Sequence, residues 1–215
     1  MNITVKRFVL NPVGVNCYVV SDAKGTGVII DPGACSREEF SEIRQYVEGE
    51  GIRLSHALLT HAHFDHVFGL DFVYETYGLK AECHALEEQI YQSNPDLALE
   101  LCGTRLPLPR VGLDCTLTDG QEIACGELRF KVIHTPGHTP GGLCFYCESE
   151  GILFSGDTLF QGSLGRTDVP LGSWRQEKQS VREKLFTLPP ETLVYPGHGP
   201  TTEIGYERMY NPYIK

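Results

Sequence analysis

The stretch Thr60-His61-Ala62-His63-Phe64-Asp65-His66 places three imidazoles and a carboxylate within six positions, directly after the apolar run Ala57-Leu58-Leu59. A packed core has no use for so many polar donors side by side, because each would need its own buried partner. A borderline transition metal does have a use for them. Imidazole and carboxylate are the ligands Zn²⁺ takes when it does chemistry, with one position left open for water. The cluster therefore reads as a metal site, and a hydrolytic one.

Four further signals share one design. His134-Thr135-Pro136-Gly137-His138 sets His138 in a tight Gly/Pro turn. Phe154-Ser155-Gly156-Asp157 puts Asp157 just past an apolar run, and Tyr195-Pro196-Gly197-His198 does the same for His198. Asp31-Pro32-Gly33 ends an earlier run in the same style. Four strand ends, each closing on Gly and a ligand-type residue, would converge on one edge of the sheets, where loops build sites on a rigid scaffold.

The elements that must position these residues follow from punctuation and periodicity. Residues 4–10, 16–21 and 27–30 read as strands, broken by Asn-Pro and Asp-Pro-Gly. Ser36 is a candidate N-cap, with Glu38 and Glu39 in the first turn of a helix running towards Gly49. A strand over 56–59 delivers the histidine cluster, and Val67, Leu70, Val73 and Tyr74 give 66–77 a helical period. Residues 84–103 read as helix and 104–117 as loop. Strands follow at 127–134, 143–147 and 152–154, then a helix at 176–185 and a strand at 193–195. No linker signal interrupts residues 1–215, so one domain is expected, an α/β fold (α+β by some schemes) of two facing sheets with helices outside.

Bulk properties narrow the function. A chain of 215 residues, 41% hydrophobic, suffices for one sizeable core. The formal net charge of −10 argues against a nucleic-acid surface, which normally carries a basic stripe. No apolar segment approaches the roughly 18 residues of a membrane span, and the first residues show no basic, then apolar, leader. The eight cysteines form no small-domain framework, so reduced thiols and a cytoplasmic setting are expected. Cys144-Phe145-Tyr146-Cys147 matches a CxxC, but within a strand its two thiols face opposite sides, which suits packing.

The ordered motifs His61-x-His63-x-Asp65-His66, Gly137-His138-Thr139, Gly156-Asp157-Thr158 and Gly197-His198-Gly199 resemble the metallo-β-lactamase superfamily, whose fold is a four-layer αββα sandwich of two mixed sheets. The resemblance implies that His61, His63 and His138 hold one divalent metal. Asp65, His66 and His198 would hold the second, with Asp157 bridging and a water-derived hydroxide between the ions. Zn is the expected metal, with Fe or Mn as alternatives. Asp31 either orients a ligand, since metal-bound imidazoles usually donate their other N–H to an acceptor, or simply forms its turn.

Within the superfamily, the segments 156–160 and 162–168 and the tail after His198 are similar to the short single-domain branch of the glyoxalase II (hydroxyacylglutathione hydrolase) group. That likeness implies hydrolysis of a small anionic thioester, with Asp65 as a catalytic group holding the attacking water's proton. Arg166 either receives a substrate carboxylate or pairs with Asp168. Where glyoxalase II has a Lys and a Tyr for glutathione, this chain reads Arg166-Thr167-Asp168. The chain also stops at Lys215, so the family's C-terminal helical domain is not expected. The nearest alternative is a persulfide dioxygenase, whose relatives share Gly-Arg-Thr-Asp and hold a single iron by residues matching His61, His138 and Asp157. Less favoured are a β-lactamase, a hydrolase of other esters or amides, and a non-catalytic metal-binding protein. His56 and His134 are read as packing or ligand-supporting residues, and His84 as the start of a helix.

Overall fold

A computed structural model describes residues 3–103 and 105–214. In chain order the strands are β1 (Ile3–Leu10), β2 (Val15–Asp22), β3 (Thr26–Ile30), β4 (Arg53–Leu58), β5 (Ala81–His84), β6 (Asp114–Leu117), β7 (Glu122–Cys125), β8 (Leu128–His134), β9 (Leu143–Cys147), β10 (Ile152–Gly156), β11 (Leu159–Phe160), β12 (Ser163–Leu164), β13 (Leu193–Pro196) and β14 (Thr202–Glu203). The helices are α1 (Arg37–Gly49), α2 (Phe64–Val67), α3 (Leu70–Tyr77), α4 (Glu87–Cys102), α5 (Trp174–Glu183) and α6 (Ile204–Tyr210). One sheet runs β1-β2-β3-β4-β5-β6, and its second half is parallel. The other runs β14-β13-β10-β9-β8-β7, with β10 and β13 parallel. Strands β11 and β12 form a separate hairpin.

Alternation along the strands builds the layers. In β2, Tyr18 and Val20 face the other sheet and pack with Phe130, Phe145 and Phe154. Their neighbours Cys17 and Val19 point the opposite way, onto Phe40, Ile43 and Val47 of α1 and Val73 of α3. On the second sheet, Phe145 and Cys147 face inward while Cys144 and Tyr146 pack outward with Val181 of α5 and Ile204 of α6. Each central strand is thus buried on both faces, because side chains alternate with period two. The result is the expected four-layer αββα arrangement of two mixed sheets. Cys144 and Cys147 fall on opposite faces, as their spacing in a strand requires.

Helix α1 starts where Ser36 marks it: the Ser36 hydroxyl accepts from the Glu39 N–H, satisfying one orphan donor of the first turn. The period over 66–77 resolves into two helices, α2 and α3, separated at Gly69. The Gly69 N–H donates to Pro32 O at 2.8 Å, and a Cβ there would strike that carbonyl. Close approach to the Asp31-Pro32-Gly33 turn therefore breaks the helix. His84 ends β5 rather than starting a helix, and its ring stacks on His134 at 4.4 Å. The expected loop over 104–117 contains β6, a half-exposed edge strand, while Thr104 lies outside the described residues.

His56 on β4 donates from Nδ1 to Glu82 Oε1 on β5 at 2.6 Å. That hydrogen bond outweighs burial and raises the imidazole pKa. A folded-state pKa above the unfolded one stabilises fully below the unfolded value, and the benefit is lost as pH rises through the folded value. Glu82→Gln is therefore expected to cost about 1 kcal/mol at pH 6 and much less at pH 9. Urea unfolding at the two pH values reads this; an equal loss at both would assign the pair no ionic role.

Candidate metal centre

The parallel pairs decide where the polar residues emerge. In the first sheet Ile30 pairs with Leu58, so Asp31 and Thr60 leave at the same edge. The Asp31 N–H donates to Leu58 O at 3.0 Å. In the second sheet Phe154 pairs with Tyr195, and Asp157 and His198 leave together. Two backbone hydrogen bonds help join the edges of the two sheets: the Leu143 N–H donates to Thr60 O and the Asn16 N–H to Gly197 O, each at 2.7 Å. A Cβ at Gly197 would strike Asp157 Oδ1, so glycine is required for this approach.

The loops bring seven donors into one cluster. The ligand atoms of His61, His63 and His138 lie within 4.8 Å of one another, as do those of Asp65, His66 and His198. Asp157 stands between the two sets. Its Oδ1 is 3.6 Å from His66 Nε2, and its Oδ2 is 3.5 Å from His138 Nε2 and 3.7 Å from His198 Nε2. Asp65 Oδ2 lies 3.2 Å from His198 Nε2 and 3.5 Å from His66 Nε2. The cluster lines a cavity of about 340 Å³ walled by Val13, Phe64, Leu97, Phe160 and Leu164.

Hydrogen bonds on the far side of three rings set their imidazoles. Thr60 Oγ1 donates to Asp31 Oδ2 at 2.7 Å and accepts from His61 Nδ1 at 3.1 Å, leaving His61 Nε2 as a lone pair. His138 Nδ1 donates to the Arg166 carbonyl at 2.7 Å, and His198 Nδ1 to the Gly14 carbonyl at 3.2 Å. Asp31 also accepts from the Thr60 N–H at 2.8 Å and lies 3.1 Å from His66 Nδ1. It has φ of 50°, in the left-handed region that Asp and Asn tolerate better than most side chains. Supporting shells of this kind fix the tautomer and orientation of metal-binding histidines.

The electrostatics call for a cation. Burial pushes the pKa values of His61, His63 and His138 below the ordinary imidazole range, keeping them neutral and able to donate lone pairs. Burial also works against charge on Asp65, but His66 and His198 more than offset it and hold its carboxyl below the usual range. At His66 burial is again overcome, by Asp65, Asp31 and Asp157, which raise its pKa to about 10. A proton there stands where the three carboxylates want positive charge. His61 Nε2, His63 Nε2, His66 Nε2 and Asp157 Oδ1 are buried without a hydrogen-bond partner. Unanswered groups of this kind are rare in folded proteins. The donor set, all N and O, fits divalent metal ions.

Two buried glutamates brace the cluster. Glu87, at the start of α4, accepts from the Ala62 N–H at 2.7 Å and the Gly141 N–H at 2.9 Å, tying the first histidine loop to the His138 loop. Glu177 in α5 accepts from the His138 N–H at 2.8 Å, and burial pushes its pKa up to about 9. Neither stood out in the sequence reading. Both lie three and four residues before buried positions, Ile90 and Tyr91 or Ser180 and Val181, and so share the inward helix face. Glu87→Ala strands two buried N–H groups and is expected to cost about 2 kcal/mol. Thermal unfolding and metal content check it; unchanged values for both would remove Glu87 from the support. Arg166 lines the cavity, but its guanidinium holds Asp168 with both arms, at 2.8 and 3.0 Å.

Comparison with known proteins agrees with this geometry. The chain is 32% identical over 206 residues to the hydroxyacylglutathione hydrolase GloC of Haemophilus influenzae, covering 93% of this chain and 92% of that one. It superposes on the crystal structure of the BLEG-1 B3 metallo-beta-lactamase with a TM-score of 0.90 at 34% identity, covering 99% and 100% of the two chains. It matches TTHA1623, solved in a di-iron-bound form, with a TM-score of 0.84 at 36% identity, covering 97% and 100%. The sequence pattern of the metallo-beta-lactamase superfamily spans residues 10–198, from the end of β1 to the last histidine of the cluster, and the chain belongs to that superfamily.

Proposed function

We propose that this protein is a two-metal hydrolase of small acyl thioesters, of the glyoxalase II kind. The observation that carries the reading is the pair of donor triads with Asp157 reaching both, on the floor of a cavity open to a small molecule. His61, His63 and His138 would hold one ion and Asp65, His66 and His198 the other. Such ions supply Lewis acidity, which lowers the pKa of water and polarises a carbonyl. Zinc, iron and manganese all suit this N/O set, and the di-iron form of TTHA1623 supports iron as an option.

The chain's own residues do the rest. Asp65 stays ionised at neutral pH and faces the cavity, where it orients the attacking water and holds its proton. Phe64, Leu97, Phe160 and Leu164 exclude bulk water, which strengthens polar interactions inside. Asp31, through Thr60, keeps His61 in one tautomer. The net reaction adds water across the C–S bond and releases a carboxylic acid and a thiol. The described cysteines are all free, which suits a reducing, cytoplasmic setting. Among the described residues no helix is long and apolar enough to cross a membrane.

The test is steady-state hydrolysis of S-D-lactoylglutathione with bound metals quantified on the same sample. Thiol release at about two metals per chain is expected. Oxygen consumption with a single iron bound would replace the reading with a persulfide dioxygenase.

A further inference from the structure

Beside the metal cavity lies a second one of about 550 Å³, a volume that accommodates a drug-sized ligand. Its walls are apolar: Pro12, Val13, Phe64, Phe68, Leu106 and Leu108. Val13 and Phe64 line both cavities, so the two spaces meet along these side chains. Phe64 lies between His63 and Asp65 in the chain, and its ring sits 5.7 Å from that of Phe68. An apolar cavity therefore adjoins the metal cavity across Val13 and Phe64, on the side of α2.

The charges on these walls are already committed. Asp71 accepts from the Val111 N–H at 2.9 Å and from Arg110 Nε at 3.2 Å. Among the described residues lining either cavity, Arg166 is the one Lys or Arg, and Asp168 occupies its guanidinium. Among the described lining residues, no Lys or Arg is therefore left without a carboxylate partner. A substrate with two carboxylates, as in a glutathione thioester, meets no unpaired Lys or Arg among these described residues to offset any hydration it loses there. A hydrocarbon chain loses nothing and gains by leaving water.

We infer that the cavity between Phe64, Phe68 and Leu108 is an acyl-chain subsite, and that the preferred substrate is an apolar acyl thioester with its carbonyl at the metal cluster. This rests on the thioesterase reading and names its substrate class.

The experiment uses metal-loaded protein and a series of straight-chain thioesters of N-acetylcysteamine, from acetyl to octanoyl, with S-D-lactoylglutathione alongside. Each methylene buried in the subsite should raise kcat/KM by about fourfold over the first several members. The longer acyl thioesters should then exceed the glutathione thioester. Phe68→Asp should flatten the series, and Phe68→Leu should keep its slope, at unchanged metal content in both. Turnover with no dependence on chain length would overturn the subsite and leave the thioesterase reading standing. If that flat series came with a concentration-dependent dimer, the cavity would belong to a second copy of the chain. No turnover of any thioester by protein holding two metals would overturn both.

Discussion

Asp157→Asn is expected to lower kcat on the order of 10³-fold while leaving the protein folded. The Asp157 carboxylate is the group that reaches both donor sets, with one oxygen towards His66 and the other towards His138 and His198. Asparagine keeps the volume beside Gly197 but removes the negative charge between the sets. Metal-ion catalysis supplies several kcal/mol of transition-state stabilisation, and each 1.36 kcal/mol is a factor of ten. Measured kcat and metal content per chain decide it. The expected result is loss of bound metal together with turnover, with an unchanged circular dichroism spectrum. A variant with full metal and full activity would show that Asp157 does not link the sites.

Removing the metals should have the largest effect on stability. With free metal about a thousandfold above its Kd, ligand linkage contributes about 4 kcal/mol. For a chain of this size that corresponds to roughly 10 °C in Tm. Without a cation, His66 bears a proton held by Asp65, Asp31 and Asp157, with a pKa of about 10 against an unfolded value near 6.5. The folded-state value is the higher one, so this stabilisation is complete below pH 6.5 and is lost as pH rises through about 10. Glu177, raised to about 9, acts in the same direction. The loaded protein faces the opposite trend, because fewer protons compete with metal for the imidazoles as pH rises. Calorimetry of loaded and chelator-treated protein at pH 7 and pH 9 should show the gap widening with pH. A constant gap would mean that the carboxylates around His66 do not hold a proton in place of metal.

Much of the fold was legible because its signals are local. The α1 N-cap at Ser36 needs only a hydroxyl three residues before an N–H. The strands β2, β8 and β9 declare themselves by apolar, β-branched and aromatic runs. The short parallel strands β5 and β6 carry four residues each and are held by neighbours distant in sequence, so no local pattern marks them. The break at Gly69 depends on Pro32, which no helical period within 66–77 can register.

The candidate ligands were legible for a different reason. Imidazole and carboxylate in a glycine turn after an apolar run have few structural uses, so residue type marked the histidine cluster, His138, Asp157, His198 and Asp31, and the resemblance to the superfamily named His61, His63, Asp65, His66, His138, Asp157 and His198 as the ligand set. The sequence by itself determined the donor chemistry, the order of the loops that carry it and the family to which they belong. The tertiary structure brought these donors within reach of one another, set Glu87 and Glu177 against the loops that carry them, and placed the apolar cavity beside Phe64. Donor chemistry resides in single side chains and survives in a linear string. Proximity, bracing and cavity shape arise only when the parallel pairs of β3 with β4 and of β10 with β13 bring distant strand ends to one edge.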